Sequence, residues 1–267
     1  MAASGGGNRF CHSLGCGNVI GGSGRKMLSA VRVENYAGQD VPTGMGAILL
    51  ASVLSGLGLP LLLSLYKGGA TGHWGFWLTL VCLAGLVDDA FGDHESRGVR
   101  GHFRALINGR LTTGMMKVVL VSLGAVLISL PLAWRSLPDV ALLILSVNFF
   151  NQLDLRPGRA IKAFLLLTGG LAAAGSFPAA VGCGGALGLL PGDLRADYML
   201  GDAGSNLLGA LAGLAITAFL PLPWVAAALI FFILGNAAGE FLSFSALIGK
   251  SKFLTWLDQI GRPQAGK

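Results

Sequence analysis

Long apolar runs alternate with short polar segments along this chain. The first run, residues 44–66 (GMGAILLASVLSGLGLPLLLSLY), carries no charge and is long enough to cross a bilayer, since about 20 residues cover the hydrocarbon core. The second, 74–91, ends on the adjacent pair Asp88-Asp89. The third covers about 114–133, and the fourth, 137–153, runs into NFFNQLD. Two shorter runs, 163–175 and 177–191, are separated by a Ser-Phe-Pro break and predict a tight helical hairpin. Run seven, 204–221, and run eight, 224–247, are joined at a Pro-Leu-Pro turn. The pattern predicts an all-α fold, a polytopic transmembrane helix bundle of about eight spans.

Composition supports lipid as the outer solvent. Hydrophobic residues make up 53% of the chain and charged residues 12%, against about 25% charged in a typical soluble domain. Residues 1–34 read as a flexible Gly/Ser-rich N-terminal segment without an apolar core of signal-peptide length. Residues 35–267 read as a single transmembrane domain. Cys11, Cys16, Cys82 and Cys183 imply no disulfide framework; Cys82 and Cys183 fall in apolar runs and read as small hydrophobes.

The net charge of +6, from 19 Lys+Arg against 13 Asp+Glu, fixes an orientation. With residues 25–43 on the cytoplasmic side, the loops 92–112, 154–162 and 192–203 and the C-terminus share that side, and nearly all Lys and Arg fall there, as the positive-inside bias requires. Nucleic acid is excluded as a partner because no basic stripe with interleaved aromatics exists. The expected location is the inner (cytoplasmic) membrane, multi-pass, with the polar face cytoplasmic.

Three polar groups sit at span ends on that face. Asp88 and Asp89 repel each other, more so near lipid, and a divalent cation would relieve the repulsion. Asn148, Asn151 and Asp154 recur every three residues, which aligns them on one helix face. Asp202 lies between Gly201 and Ala203 in MLGDAGSNLLGA, with Ser205 and Asn206 opening the next span; a helix start of this kind favours phosphate oxygens. Each group also has a plain alternative: a solvated helix end, interhelical hydrogen bonds, or a simple cap. Together with Lys117, Arg156, Arg159 and Lys162, however, they suit a polyphosphate held by Mg²⁺, which takes one or two carboxylates plus phosphate oxygens.

Four segments in this order, NYAGQDVPTGMG (35–46), GLVDDAFGD (85–93), NFFNQLDLRPGRA (148–160) and MLGDAGSNLLG (199–209), resemble the polyprenyl-phosphate N-acetylhexosamine-1-phosphate transferases. That family contains the bacterial phospho-MurNAc-pentapeptide translocase. The resemblance implies Mg²⁺-dependent transfer of a sugar-1-phosphate from a UDP-sugar to a polyprenyl phosphate such as undecaprenyl phosphate, with release of UMP. It implies Asp88 and Asp89 as the acidic pair near metal and acceptor, with Asp89 and Asp202 as metal ligands. It further implies Asp154 and Lys117 in catalysis, and Thr43, Asn148, Asn151, Arg156, Arg159 and Ser205 at the substrates.

The chain departs from that family in three places. Pro157 stands where the family motif has a second aspartate, no histidine follows His102, and no apolar run precedes the VPTG loop. The missing histidine-rich loop argues against UDP-MurNAc-pentapeptide as donor. The departures also motivate a second reading, an inactive membrane scaffold or regulator. A cation transporter is a third, disfavoured because the acids lie at span ends rather than near the midplane. The sequence leaves the oligomeric state open, a homodimer included.

Overall fold

The computed structural model describes residues 32–34, 38, 40–67, 70–92, 101, 104, 105, 107–110, 112–129 and 136–263. The expected flexible segment up to residue 31, with Cys11 and Cys16, and the loop positions Arg97, Arg100 and His102 lie outside the described residues. Two short strands, β1 (Arg32–Glu34) and β2 (Asp40–Pro42), pair antiparallel before the first helix. This hairpin was not expected from the sequence.

The other elements among the described residues are helices. The helices are α1 (Gly46–Lys67), α2 (Ala70–Phe91), α3 (Thr113–Ser129), α4 (Ser136–Leu153), α5 (Arg159–Ala173), α6 (Phe177–Leu194), α7 (Gly201–Phe219), α8 (Leu222–Phe241), α9 (Phe244–Gly249) and α10 (Lys252–Gln259). Each of the eight apolar runs thus becomes a helix. Among the described residues, three stretches are long and apolar enough to cross a membrane: His73–Phe91, Gly201–Phe219 and Leu222–Phe241. Shorter apolar stretches fall in α1, α3 and α4.

Boundaries follow local chemistry. The α5–α6 hairpin turns at Gly175, whose φ of 97° lies in the left-handed region that glycine adopts without a Cβ clash. Pro178 and Pro223 stand in the first turns of α6 and α8, where a missing N–H costs nothing. Two boundaries depart from the apolar pattern. Run eight breaks at Leu242–Ser243, and Phe244 turns back to pack edge-on against Phe149, 5.8 Å between centroids. Helix α5 starts at Arg159, ahead of its apolar run, because Arg159 and Lys162 find acceptors on the C-terminal helix.

Helix α7 is the axis of the bundle. It packs against α1, α2, α4, α5, α6 and α8, and every residue from Ala203 to Thr217 is buried. Small side chains make this possible. A Cβ at Gly209 would stand 2.5 Å from Ser146 O and Val147 Cα, and one at Gly213 would stand 2.6 Å from Ser146 Oγ. This Gly-x-x-x-Gly pair therefore lets α4 and α7 approach backbone to backbone, as small residues do between helices in lipid. Met45, just before α1, and Leu49, Val53 and Leu57 on it form the buried stripe, at the four-residue spacing of one helix face. Helix α8 is the opposite case: Trp224, Ile230, Leu234 and Phe241 are exposed, an apolar face suited to lipid contact.

Candidate functional site

The bundle end at which α2, α3 and α7 meet gathers residues from distant parts of the sequence. Asp88 sits on the last turns of α2 and accepts hydrogen bonds from Thr113 Oγ1 (2.6 Å) and Lys117 Nζ (2.6 Å), both on α3. The same ammonium donates to Asp202 Oδ2 on the first turn of α7. Lys117 thus lies between two carboxylates. Its side chain is 14% exposed, that of Asp88 15% and that of Asp202 33%, so Asp202 is the most open of the three.

Asp89 has a different task. Its carboxylate accepts the backbone N–H groups of Asp202 (2.7 Å) and Ala203 (3.1 Å). It therefore satisfies two of the free donors at the start of α7, a place where the helix dipole also favours negative charge. The same spot explains Gly201. Its φ is +67°, and a Cβ there would collide with Thr43 Oγ1 and, at 2.6 Å, with Asp89 Oδ2. Thr43, buried at 3% exposure, follows β2, and Pro42 O accepts the N–H of Met199 at 2.9 Å. The VPTG turn is thereby fastened to the segment leading into α7. Gly46 and Gly85 bring α1 and α2 directly onto the backbone at Ala203.

Asn151 on α4 donates to Asn206 Oδ1 on α7 (3.1 Å), and the Nδ2 of Asn206 is buried without a hydrogen-bond partner. Ser205 Oγ donates to Gly201 O (2.9 Å) within its own helix. Asp154, just past α4, lines a recess with Arg156, Pro157, Asp193, Tyr198 and Met199. Burial, with repulsion from Asp193, Asp202 and Asp89, holds the Asp154 carboxyl well above the usual carboxylate range.

Two residues expected at the substrates also tie helices together. Asn148 Nδ2 donates to Asn236 Oδ1 on α8 (2.5 Å), and Asn236 in turn donates to Leu145 O and Phe232 O. Asn148 therefore links α4 to α8, the interhelical alternative that its sequence position left open. Arg159 makes a two-pronged contact with Asp258 on α10, Nε to Oδ1 at 2.8 Å and Nη2 to Oδ2 at 3.1 Å, and also donates to Ser245 Oγ. At 6% exposure its charge is already met.

Asp193, Thr113 and Tyr198 were not singled out by the sequence. Asp193 Oδ2 accepts the Gly158 N–H (2.7 Å) and so caps the start of α5. An acid at the end of an otherwise apolar run was the available signal. The Tyr198 hydroxyl donates to Leu189 O (2.8 Å), and burial pushes it up to about 12.

Among the described residues, no three His, Cys, Asp or Glu side chains converge to hold a metal by themselves. The donor chemistry still fits Mg²⁺, which needs only one or two carboxylates when phosphates supply the rest. Asp202 is the partly open carboxylate that suits such a role. Both oxygens of Asp89 already accept backbone N–H groups. Compared with profiles of known families and with curated proteins, the chain matches none of them.

Proposed function

We propose that this chain is a membrane-embedded phosphoglycosyl transferase of the polyprenyl-phosphate N-acetylhexosamine-1-phosphate transferase type. It would move a sugar-1-phosphate from a UDP-sugar to a polyprenyl phosphate at the cytoplasmic face of the inner membrane, with helices α1–α8 each crossing or entering the bilayer. The observation that carries the reading is the placement of Lys117 between Asp88 and Asp202 at the α7 N-terminus. Three motifs, the outer two 113 residues apart from Asp89 to Asp202, converge there, in the combination that binding a diphosphate requires: a cation, carboxylates for Mg²⁺ and a helix start.

In the reaction, an oxygen of the lipid phosphate forms a bond to the sugar-bearing phosphorus of the donor. The bond from that phosphorus to the bridging oxygen breaks, and UMP leaves with that oxygen. Mg²⁺ bound at Asp202 would neutralise charge on the diphosphate as this happens. Lys117 exchanges a carboxylate for a phosphate oxygen when substrate arrives. Asp88 keeps Lys117 aimed at the site through its 2.6 Å contact. The lipid phosphate is largely ionised near neutral pH, its second pKa being roughly 6, so no strong base is required. The raised carboxyl of Asp154 supplies a group able to hold a proton beside the leaving nucleotide.

The test is release of UMP from a panel of UDP-sugars with undecaprenyl phosphate and Mg²⁺. Release that requires both lipid and Mg²⁺ supports the reading, and no release across the panel overturns it. The inactive-scaffold reading draws on one observation, the internal pairing of both Lys117 and Arg159, and the same assay decides between the two.

A further inference from the structure

Helix α10 has two faces that the bundle treats differently. The inner face docks. Thr255 Oγ1 donates to Ile248 O (3.0 Å), Asp258 receives the two-pronged Arg159, and Lys162 Nζ donates to Leu257 O (3.0 Å), Asp258 O (2.5 Å) and Ile260 O (3.2 Å). Arg262 extends this face by donating to Pro157 O and Asp258 Oδ1, both at 2.8 Å. The outer face carries Phe253 and Trp256, 65% and 58% exposed, with ring centroids 6.0 Å apart. These two stand two residues before Thr255 and Asp258, and at about 100° per residue that offset puts them on the opposite side of the helix.

Charge follows the same division. Asp258 is the sole acid in residues 241–267 and is turned inward, whereas Lys250 and Lys252 are exposed at the helix start. Phe241 and Leu242 at the end of α8 are exposed as well, at 65% and 54%. We propose that α10 is an interfacial helix seated on anionic lipid headgroups. Phe253 and Trp256 enter the headgroup–acyl boundary, and Lys250 and Lys252 meet the lipid phosphates. A short helix with an aromatic face and flanking lysines has the amphipathic character that binds in the plane of a membrane surface, and tryptophan concentrates at that depth. The inference rests on the membrane reading of the bundle and is independent of the transferase chemistry. Through Arg159 and Pro157, the seated helix grips the turn that follows Asp154.

The test uses single spin labels in a background with the native cysteines replaced, in vesicles of phosphatidylcholine with and without phosphatidylglycerol. Labels go at Phe253→Cys, at Gln259→Cys and, as a bilayer reference, at Leu234→Cys on α8. The expected result is a label at 253 whose ratio of oxygen to nickel-complex collisions rises severalfold when phosphatidylglycerol is present, with 259 aqueous and 234 lipidic throughout. Adding Lys250→Gln and Lys252→Gln should remove the rise. An aqueous label at 253 beside a lipidic one at 234 overturns the proposal alone, and an aqueous label at 234 overturns the membrane reading with it. Dipolar coupling between labels at 253 in separate copies would assign the face to a second copy instead. If the cysteine-replaced chain fails to fold, brominated-lipid quenching of the native chain against Trp256→Phe gives the same decision, since an interfacial Trp256 must contribute a quenchable fraction.

Discussion

Asp89 on α2 accepts the backbone N–H of Asp202 at 2.7 Å, so the adjacent acidic pair divides into two jobs: Asp89 builds the end of α7 and Asp88 holds Lys117. Asp89, which caps α7, and Asp202, the more open carboxylate, should therefore fail differently. Asp89→Ala should lower thermal stability in detergent by the loss of a helix cap, about 0.5–2 kcal/mol. Asp202→Asn should leave the melting temperature nearly unchanged and reduce UMP release severely. If Asp202→Asn turned over normally, the Mg²⁺ assignment would fall.

Removing Lys117 leaves Asp88 and Asp202 facing each other without their shared cation. Lys117→Met should destabilise by up to ~3 kcal/mol, the lower end for breaking a buried ion pair from one side. The double change Lys117→Met with Asp88→Asn should recover part of that loss. A double-mutant cycle on unfolding free energies measures the coupling, and strict additivity would show that the 2.6 Å contact contributes nothing.

Much of this arrangement is legible in the sequence, for a physical reason. A charge in an apolar run is costly unless it has a partner, so Asp88, Asp89, Lys117 and Asp202 stand out against their neighbours, and the helix pattern of the runs fixes which end of the bundle they share. Partner choice is what spacing does not encode. Arg159 pairs with Asp258, 99 residues away, and Asn148 with Asn236, 88 residues away. Both were expected at the substrates because their targets lie on elements whose packing only the folded chain defines. Asp193 also ends an apolar run, but its partner, the Gly158 backbone N–H, is one that no side-chain pattern points to.

Gly201 should tolerate no side chain. With φ at +67° and Thr43 and Asp89 against it, Gly201→Ala adds backbone strain of about 1–3 kcal/mol and pushes on the cap itself. The expected outcome is a lower melting temperature together with lost turnover. An unchanged melt would contradict the packing described at this turn.

Two carboxyls give opposite pH behaviour. Asp258 is partly desolvated, which raises its carboxyl, but the hydrogen bonds and charge of Arg159 and Arg262 outweigh this and hold it below the usual range. Its contribution is present above the unfolded value of about 3.9 and is lost as pH falls through the folded value. Asp258→Asn should therefore flatten the acid side of a stability–pH curve. Asp154 is raised, so its folded form is favoured at low pH and that advantage disappears as pH rises through the folded value. Asp154→Asn should then melt higher than the parent at neutral pH while releasing less UMP. Thermal melts across pH in one detergent check both signs.

The enclosure of α7 by six other helices has a mechanical consequence. A rod gripped on every side over Ala203–Thr217 is a stator: turning it would shear all of its neighbours at once. Whatever opens and closes around Asp202 must be carried by the periphery, and amide exchange along α7 should be the slowest in the molecule.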